Sequence, residues 1–226
     1  MIRIYYHIYA VDGVESIIEE QLSLMKTHFN FEHIINIGIC LSEESVSIDN
    51  IYKLINKYNK SNQIVICNIK NECNEFVTID IIELHKPTFE DTDNIFYLHT
   101  KGASKQNSDE YPKIERWRKM MQLYNIEYFK NVFEVFSSGL YNTYGFFLET
   151  VNDSKNVIYS GNFWWMTGEY AKTIDINGVY KNRWNAELQY IQTGVNWKPY
   201  SYFIKDQKGK REKNNTNTKF SFNKLI

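Results

Sequence analysis

Glycine and proline are scarce: ten and three in 226 residues. No linker, repeat or low-complexity stretch divides the chain, and its length suits one domain or one domain with a small appendage. The three cysteines, Cys40, Cys67 and Cys73, lack metal-ligand spacing. Cys40 and Cys67 lie in apolar runs and read as core thiols in a reducing compartment. No apolar run is long enough to span a bilayer and no secretory leader opens the chain. The expectation is therefore a soluble, cytoplasmic protein. Charge of either sign is not in excess, the net value being −1, so no global basic field argues for nucleic acid. Neither G-x-G-x-x-G nor a P-loop occurs, which argues against NAD, a flavin or a P-loop kinase.

What is abundant is aromatic. Seventeen Tyr, fourteen Phe and five Trp make 16% of the chain, which suits stacking on sugars and bases and suits a plain core equally. The periodicities alternate. Ile2 to Val11 reads as a strand, and Asp12 as the cap of a helix with Glu15 as capping-box partner. Val14, Ile17, Ile18, Leu22 and Met25 keep helical spacing. A strand over His33 to Leu41, a helix capped by Ser47, and a strand over Gln63 to Ile69 follow. Glu75 to Leu84 reads as a helix despite its β-branched residues, ended by Pro87. This alternation predicts parallel strands with right-handed crossovers, a Rossmann-like first half. Beyond it the spacing predicts a long helix from Pro112 to about Ser137, a strand at Tyr144 to Glu149 and an aromatic strand at Val157 to Thr167. A short helix at Gly168 to Ile174 and another at Arg183 to Gln192 complete the reading.

Ile95 to Ser104, I-F-Y-L-H-T-K-G-A-S, is the centre of the functional reading. A run without alternation is a strand buried on both faces, and in open α/β sheets ligands bind beyond the carboxyl ends of strands. This strand ends in His99, Lys101 and Gly102, with His99 and Lys101 on one side in extended geometry. The plainer alternative is a satisfied histidine and a solvated lysine. Backbone groups of Tyr9, Ala10 and Val11 and an aromatic face there are candidates for holding a nucleotide. Gly161, Asn162 and Trp164, within S-G-N-F-W-W, offer close approach, an amide and a flat ring, as a sugar needs; a bulged core strand is the alternative. Arg118 is a candidate for phosphate or acceptor, or a solvated arginine. Arg183 and Glu187 are an ordinary i, i+4 pair or a sugar ligand and a base. Asp91 and Asp93 form a D-x-D that could chelate a divalent cation, but it precedes the strand where a metal site should follow it, and reads as a turn. Residues 205–226 form a basic tail that turns apolar at its end.

Y-L-H-T-K-G, W-R-x-x-M, S-G-N-F-W-W and R-x-x-x-E, in this order, resemble a family of small glycosyltransferases of giant viruses, phages and bacteria that includes a chlorella-virus capsid-glycan domain. The resemblance covers nearly all of residues 1–200. It implies a GT-A-like fold, with a mixed central sheet flanked by helices. Residues 1–104 would be its nucleotide-binding half and 105–204 its acceptor half. It implies a nucleotide-diphosphate sugar as donor, UDP above all, a Mn²⁺ or Mg²⁺ ion, and a glycan, protein or modified DNA base as acceptor. The residue roles that follow give His99, Lys101 and Gly102 to the diphosphate, with His99 also a metal candidate. Tyr9 to Val11 hold the base and ribose, Gly161, Asn162, Trp164, Arg118 and Arg183 the sugar and acceptor, and Glu187 is the base. The departure is that the strand which usually ends in D-x-D ends here in His99-Thr100-Lys101. A non-catalytic carbohydrate-binding or scaffold protein on a degenerate transferase fold is the alternative.

Overall fold

The computed structural model describes residues 1–29, 33–42, 47–59, 63–71, 74–150, 157–177, 179, 185–186, 190–205 and 211–213. The first half alternates as the sequence predicts: β1 (Ile2–Ala10), α1 (Val14–His28), β2 (His33–Leu41), α2 (Ile48–Tyr58), β3 (Ile64–Asn71), α3 (Phe76–His85) and β4 (Asn94–His99). The second half holds α4 (Tyr111–Gln122), α5 (Lys130–Ser137), β5 (Thr143–Thr150), β6 (Val157–Tyr159), β7 (Trp164–Thr167), α6 (Gly168–Thr173), β8 (Pro199–Lys205) and β9 (Arg211–Lys213). All strands among the described residues join one mixed sheet in the order β3-β2-β1-β4-β7-β5-β8-β9, with β6 continuing the line of β7 along β5. The β3-β2-β1-β4 part is parallel and Rossmann-like; β7 runs antiparallel to β4. β9 pairs with β8, so the sheet extends into the stretch read as a tail. No helix among the described residues is long and apolar enough to cross a membrane.

Side-chain alternation builds a core on each face of the sheet. Ile4, Tyr6, Phe96 and Leu98 face α1, α2, α4 and α5. Tyr5, Ile95 and Tyr97 face α3 and α6. The adjacent tryptophans join both cores. Trp165 stacks on Phe96 at 4.4 Å and Trp164 on Tyr97 at 4.8 Å, each across from its partner in the β4–β7 ladder. α3 is helical against its propensities because Ile79, Ile81 and Ile82 are all buried. Burying one such side chain stabilises by about 1.5–3 kcal/mol, against at most about 0.7 kcal/mol per residue of propensity.

Four expectations are corrected. Asp12 does not cap α1: the cap is Gly13, at φ 78°, where a Cβ would lie 2.4 Å from Gln106 Oε1. The long helix is broken between α4 and α5 by a π-turn at Leu123–Glu127. The Asn125 carbonyl there accepts from Trp165 Nε1 at 3.1 Å and the Tyr124 carbonyl from the Tyr144 hydroxyl at 3.3 Å, so side chains satisfy the backbone at the break. Tyr128, just after this turn, is exposed. The aromatic strand is also interrupted, between β6 and β7, where Gly161 and Asn162 take positive φ. Finally, Cys40 is disulfide-bonded while Cys67 is free and exposed.

Candidate functional site

β1 leads through α1 to β2 on one side, and β4 returns to the other side of β1, so the carboxyl ends of β1 and β4 flank a topological switch point. A cavity of about 370 Å³ lies there. His7 and Tyr9 of β1, Asn74 and Glu75 before α3, His99 at the end of β4, and Thr100 to Lys105 line it, with Ile114 of α4.

The loop after β4 is tied from both sides. Thr100 continues the ladder: its N–H donates to the His7 carbonyl at 3.1 Å and its Oγ1 accepts from Tyr9 N–H at 2.9 Å. Gln21 Nε2 of α1 donates to the His99 carbonyl at 3.1 Å, and Arg118 Nη1 of α4 to the Lys101 carbonyl at 3.1 Å. Gly102, at φ 90°, turns the chain where a Cβ would come 2.8 Å from Ile114. Gln106 Nε2 donates to the Gly13 carbonyl at 2.8 Å, joining this loop to the start of α1. The backbone is thus held from the α1 and α4 side.

His99 is 6% exposed. Its Nε2 donates to the Gly161 carbonyl at 3.0 Å, its ring meets Phe163 edge-on, and its Nδ1 lies 3.8 Å from Glu75 Oε1. His7 sits opposite His99 in the β1–β4 register, with Nδ1 3.1 Å from Thr78 Oγ1. Burial lowers the His7 pKa to about 3, so its ring is neutral at physiological pH. The Lys101 ammonium pairs with no carboxylate among the described residues. Lys105 lies 3.9 Å from Glu110, both largely exposed, a contact that solvent screens.

The structure gathers His99, Lys101, Gly102 and Tyr9 at one cavity. Ala10 is core and Val11 packs against the core. Tyr9 N–H, the Ala10 carbonyl and the Val11 carbonyl already have partners in Thr100, Ser42 and Val14. Arg118 is buried and engaged: besides the Lys101 carbonyl it meets both oxygens of Glu20, at 3.1 and 3.4 Å. Trp164 is core, and its Nε1 donates to Asn162 Oδ1 at 2.8 Å. Gly161 makes room for α4, since a Cβ would meet Met121 Sδ at 2.2 Å. The 160–163 turn reaches the site through the Gly161 carbonyl and Phe163, both on His99. Arg183 and Glu187 lie outside the described residues.

The D-x-D of the sequence lies away from the cavity. Asp91 and Asp93 stand at the amino end of β4, opposite the cavity. Asp93 is buried and bound to Arg3 at 2.7 Å, and Asp91 pairs with Lys172. The cavity offers one carboxylate, Glu75, and two imidazoles, His7 and His99, beside two lysines, and no group of three His, Cys, Asp or Glu that could hold a metal ion occurs among the described residues.

His7, Glu75 and Lys105 were not singled out by sequence. His7 had a signal, a polar residue alternating with Tyr5 and Tyr9 in an apolar strand. Glu75 had none, because only the fold of α3 over the sheet brings it to His99. Comparison with protein-family models and with curated proteins returns no match.

Proposed function

We propose that this chain is a glycosyltransferase, moving a sugar from a nucleotide-diphosphate donor, a UDP-sugar above all, to an acceptor hydroxyl, on a GT-A-like fold of the family its motifs resemble. The observation that carries the reading is the cavity at the β1–β4 switch point, lined by His99 and by Lys101, which pairs with no carboxylate among the described residues. Transfer requires the leaving diphosphate to be neutralised, the sugar to be oriented and the acceptor hydroxyl to lose its proton. Lys101 and Lys105 supply the positive charge that a cation supplies where a strand ends in D-x-D. Tyr9 offers a ring and a hydroxyl at the β1 side for the nucleoside. A neutral His7 recognises uncharged hydroxyls without adding charge. Trp164, assigned to the sugar, is stacked in the core and supports neither the transferase reading nor the non-catalytic carbohydrate-binding alternative.

The test is a thermal-shift screen of UDP, UDP-sugars, NAD and ATP, with and without Mn²⁺, followed by a UDP-release assay. A ligand at 100 times its Kd stabilises by about 2.7 kcal/mol. UDP and at least one UDP-sugar should raise the melting temperature without Mn²⁺. Stabilisation by NAD or ATP and not by UDP overturns the proposal.

A further inference from the structure

We infer that His7 determines which uncharged group this cavity accepts: Thr78 holds the ring so that its Nε2–H is offered to a neutral oxygen of the bound donor. The inference rests on the transferase reading and names the atom with which the cavity reads the neutral part of its ligand.

The ring is placed before any ligand arrives. His7 is 2% exposed and lines the cavity from β1. Its Nδ1 lies 3.1 Å from Thr78 Oγ1, and its Nε2 has no partner among the described residues. Thr78 comes from α3 and is fully buried. The space it fills is left by Gly38 of β2, opposite His7 in the β1–β2 register, where a Cβ would lie 2.3 Å from Thr78 Oγ1. Two neighbouring elements therefore fix this one imidazole, as a binding group needs.

The position of the ring proton follows by exclusion. A neutral imidazole carries one proton, on either nitrogen, and burial keeps this ring neutral at physiological pH. Suppose Nδ1 carried it. The Thr78 oxygen would then accept, and the hydroxyl's own proton would need another acceptor. A helical threonine can send that proton to the carbonyl four residues back. Here that is the Asn74 carbonyl, which accepts from Val77 N–H and receives no bond from Thr78. The hydroxyl proton would be stranded in the core, which is unfavourable. If Thr78 donates to Nδ1 instead, nothing is stranded. The ring proton then sits on Nε2, the nitrogen left for the cavity.

A neutral N–H pairs with a carbonyl, hydroxyl or ether oxygen and is mismatched against another N–H. Lys101 and Lys105, on the same cavity, carry the charge that a diphosphate needs. His7 carries none, so it suits an oxygen of the nucleoside or of the sugar. Thr78 touches no ligand in this scheme and is a positioning residue acting through His7.

The test uses the full chain and has two arms. In the first, NMR locates the His7 ring proton in the wild type, with His7→Asn assigning the signal. The proton should sit on Nε2, and its resonance should move when UDP or UDP-glucose is added. Thr78→Val should lose the single tautomer. A proton on Nδ1, or an unmoved resonance while ligand binds, overturns the inference. In the second arm, calorimetry measures binding of UDP and of UDP-glucose, with urea unfolding of each free protein beside it. His7→Asn puts an amide near Nδ1, keeping Thr78 paired and removing the donor. His7→Gln puts an amide near Nε2, restoring the donor and giving up Thr78. His7→Asn should bind roughly 3- to 10-fold more weakly than the wild type, and His7→Gln should recover most of that loss although it is the less stable variant. A loss already complete with UDP places the oxygen in the nucleoside; a loss confined to UDP-glucose places it in the sugar. Wild-type affinity for both ligands in His7→Asn, or affinity that follows stability and not the Nε2 position, overturns the inference and leaves the transferase reading intact. If neither variant folds, the NMR arm decides on the wild type alone. No binding of UDP or UDP-glucose by the wild type overturns the transferase reading and this inference together.

Discussion

His7 is the residue whose environment makes the sharpest demand on stability. Its ring is buried in β1 against Thr78, and its pKa is lowered to about 3 by burial. In the unfolded chain it titrates near 6.5. Between those values the unfolded state binds a proton that the native state refuses, so stability is complete above about pH 6.5 and is lost as pH falls toward 3. The slope is 1.36 kcal/mol per pH unit, so the loss by about pH 4.5 is roughly 2.7 kcal/mol from this residue alone. His7→Asn removes the titration and places an amide near Nδ1, where it can keep Thr78 paired. At neutral pH the variant should be the less stable protein, by about 1–3 kcal/mol for the lost burial. Urea unfolding across this range should show the gap closing as pH falls and reversing toward its acid end. Other titrating groups are common to both proteins and cancel in the difference. Parallel pH–stability curves for wild type and His7→Asn would refute the reasoning.

Arg118→Ala leaves the Glu20 carboxylate and the Lys101 carbonyl without their shared donor. Breaking a buried pair costs about 3–5 kcal/mol, and the partial exposure of Glu20 brings the expected loss to about 2–4 kcal/mol. Arg118→Lys should recover only part of it, because an ammonium lacks the planar fork that meets both Glu20 oxygens while reaching the Lys101 carbonyl; urea midpoints check this, and a loss within about 0.5 kcal/mol would make the pair a surface contact. Gly161→Ala should cost about 2–4 kcal/mol, from positive φ and from collision with Met121, whereas Gly139→Ala, also at positive φ but with nothing within 4 Å, should cost only the backbone part. Equal losses at both glycines would remove close packing against α4 as the reason for Gly161.

The parallel half of the fold was legible because its signals are local. Apolar runs, β-branched residues and the 3.6-residue spacing of α1 each name an element without reference to the others. The breaks were not legible. The π-turn between α4 and α5 depends on Trp165 and Tyr144 reaching backbone carbonyls from distant strands, and α1 is capped at Gly13, whose carbonyl accepts from the distant Gln106. At the site, the end of β4 could be read because a buried strand ending in His-Thr-Lys-Gly is a local pattern. Glu75 could not, since no spacing relates positions 75 and 99. The aromatic pair misled for a related reason. Adjacent tryptophans do point to opposite faces, but both faces of this sheet are core, so Trp164 stacks on Tyr97 instead of lining a cleft.

The central claim is that the cavity beyond β1 and β4 holds a nucleotide diphosphate through Lys101. It is tested most directly by titrating UDP against the wild type and Lys101→Ala by calorimetry, with thermal unfolding of each free protein as control. Lys101 lies in a loop and pairs with no described carboxylate, so the substitution should leave stability within about ±0.5 kcal/mol. A contact to a charged group contributes about 1.5–3 kcal/mol, so UDP should bind the variant roughly 10- to 100-fold more weakly. Equal UDP affinity in the two proteins, or no UDP binding by the wild type, would contradict the account.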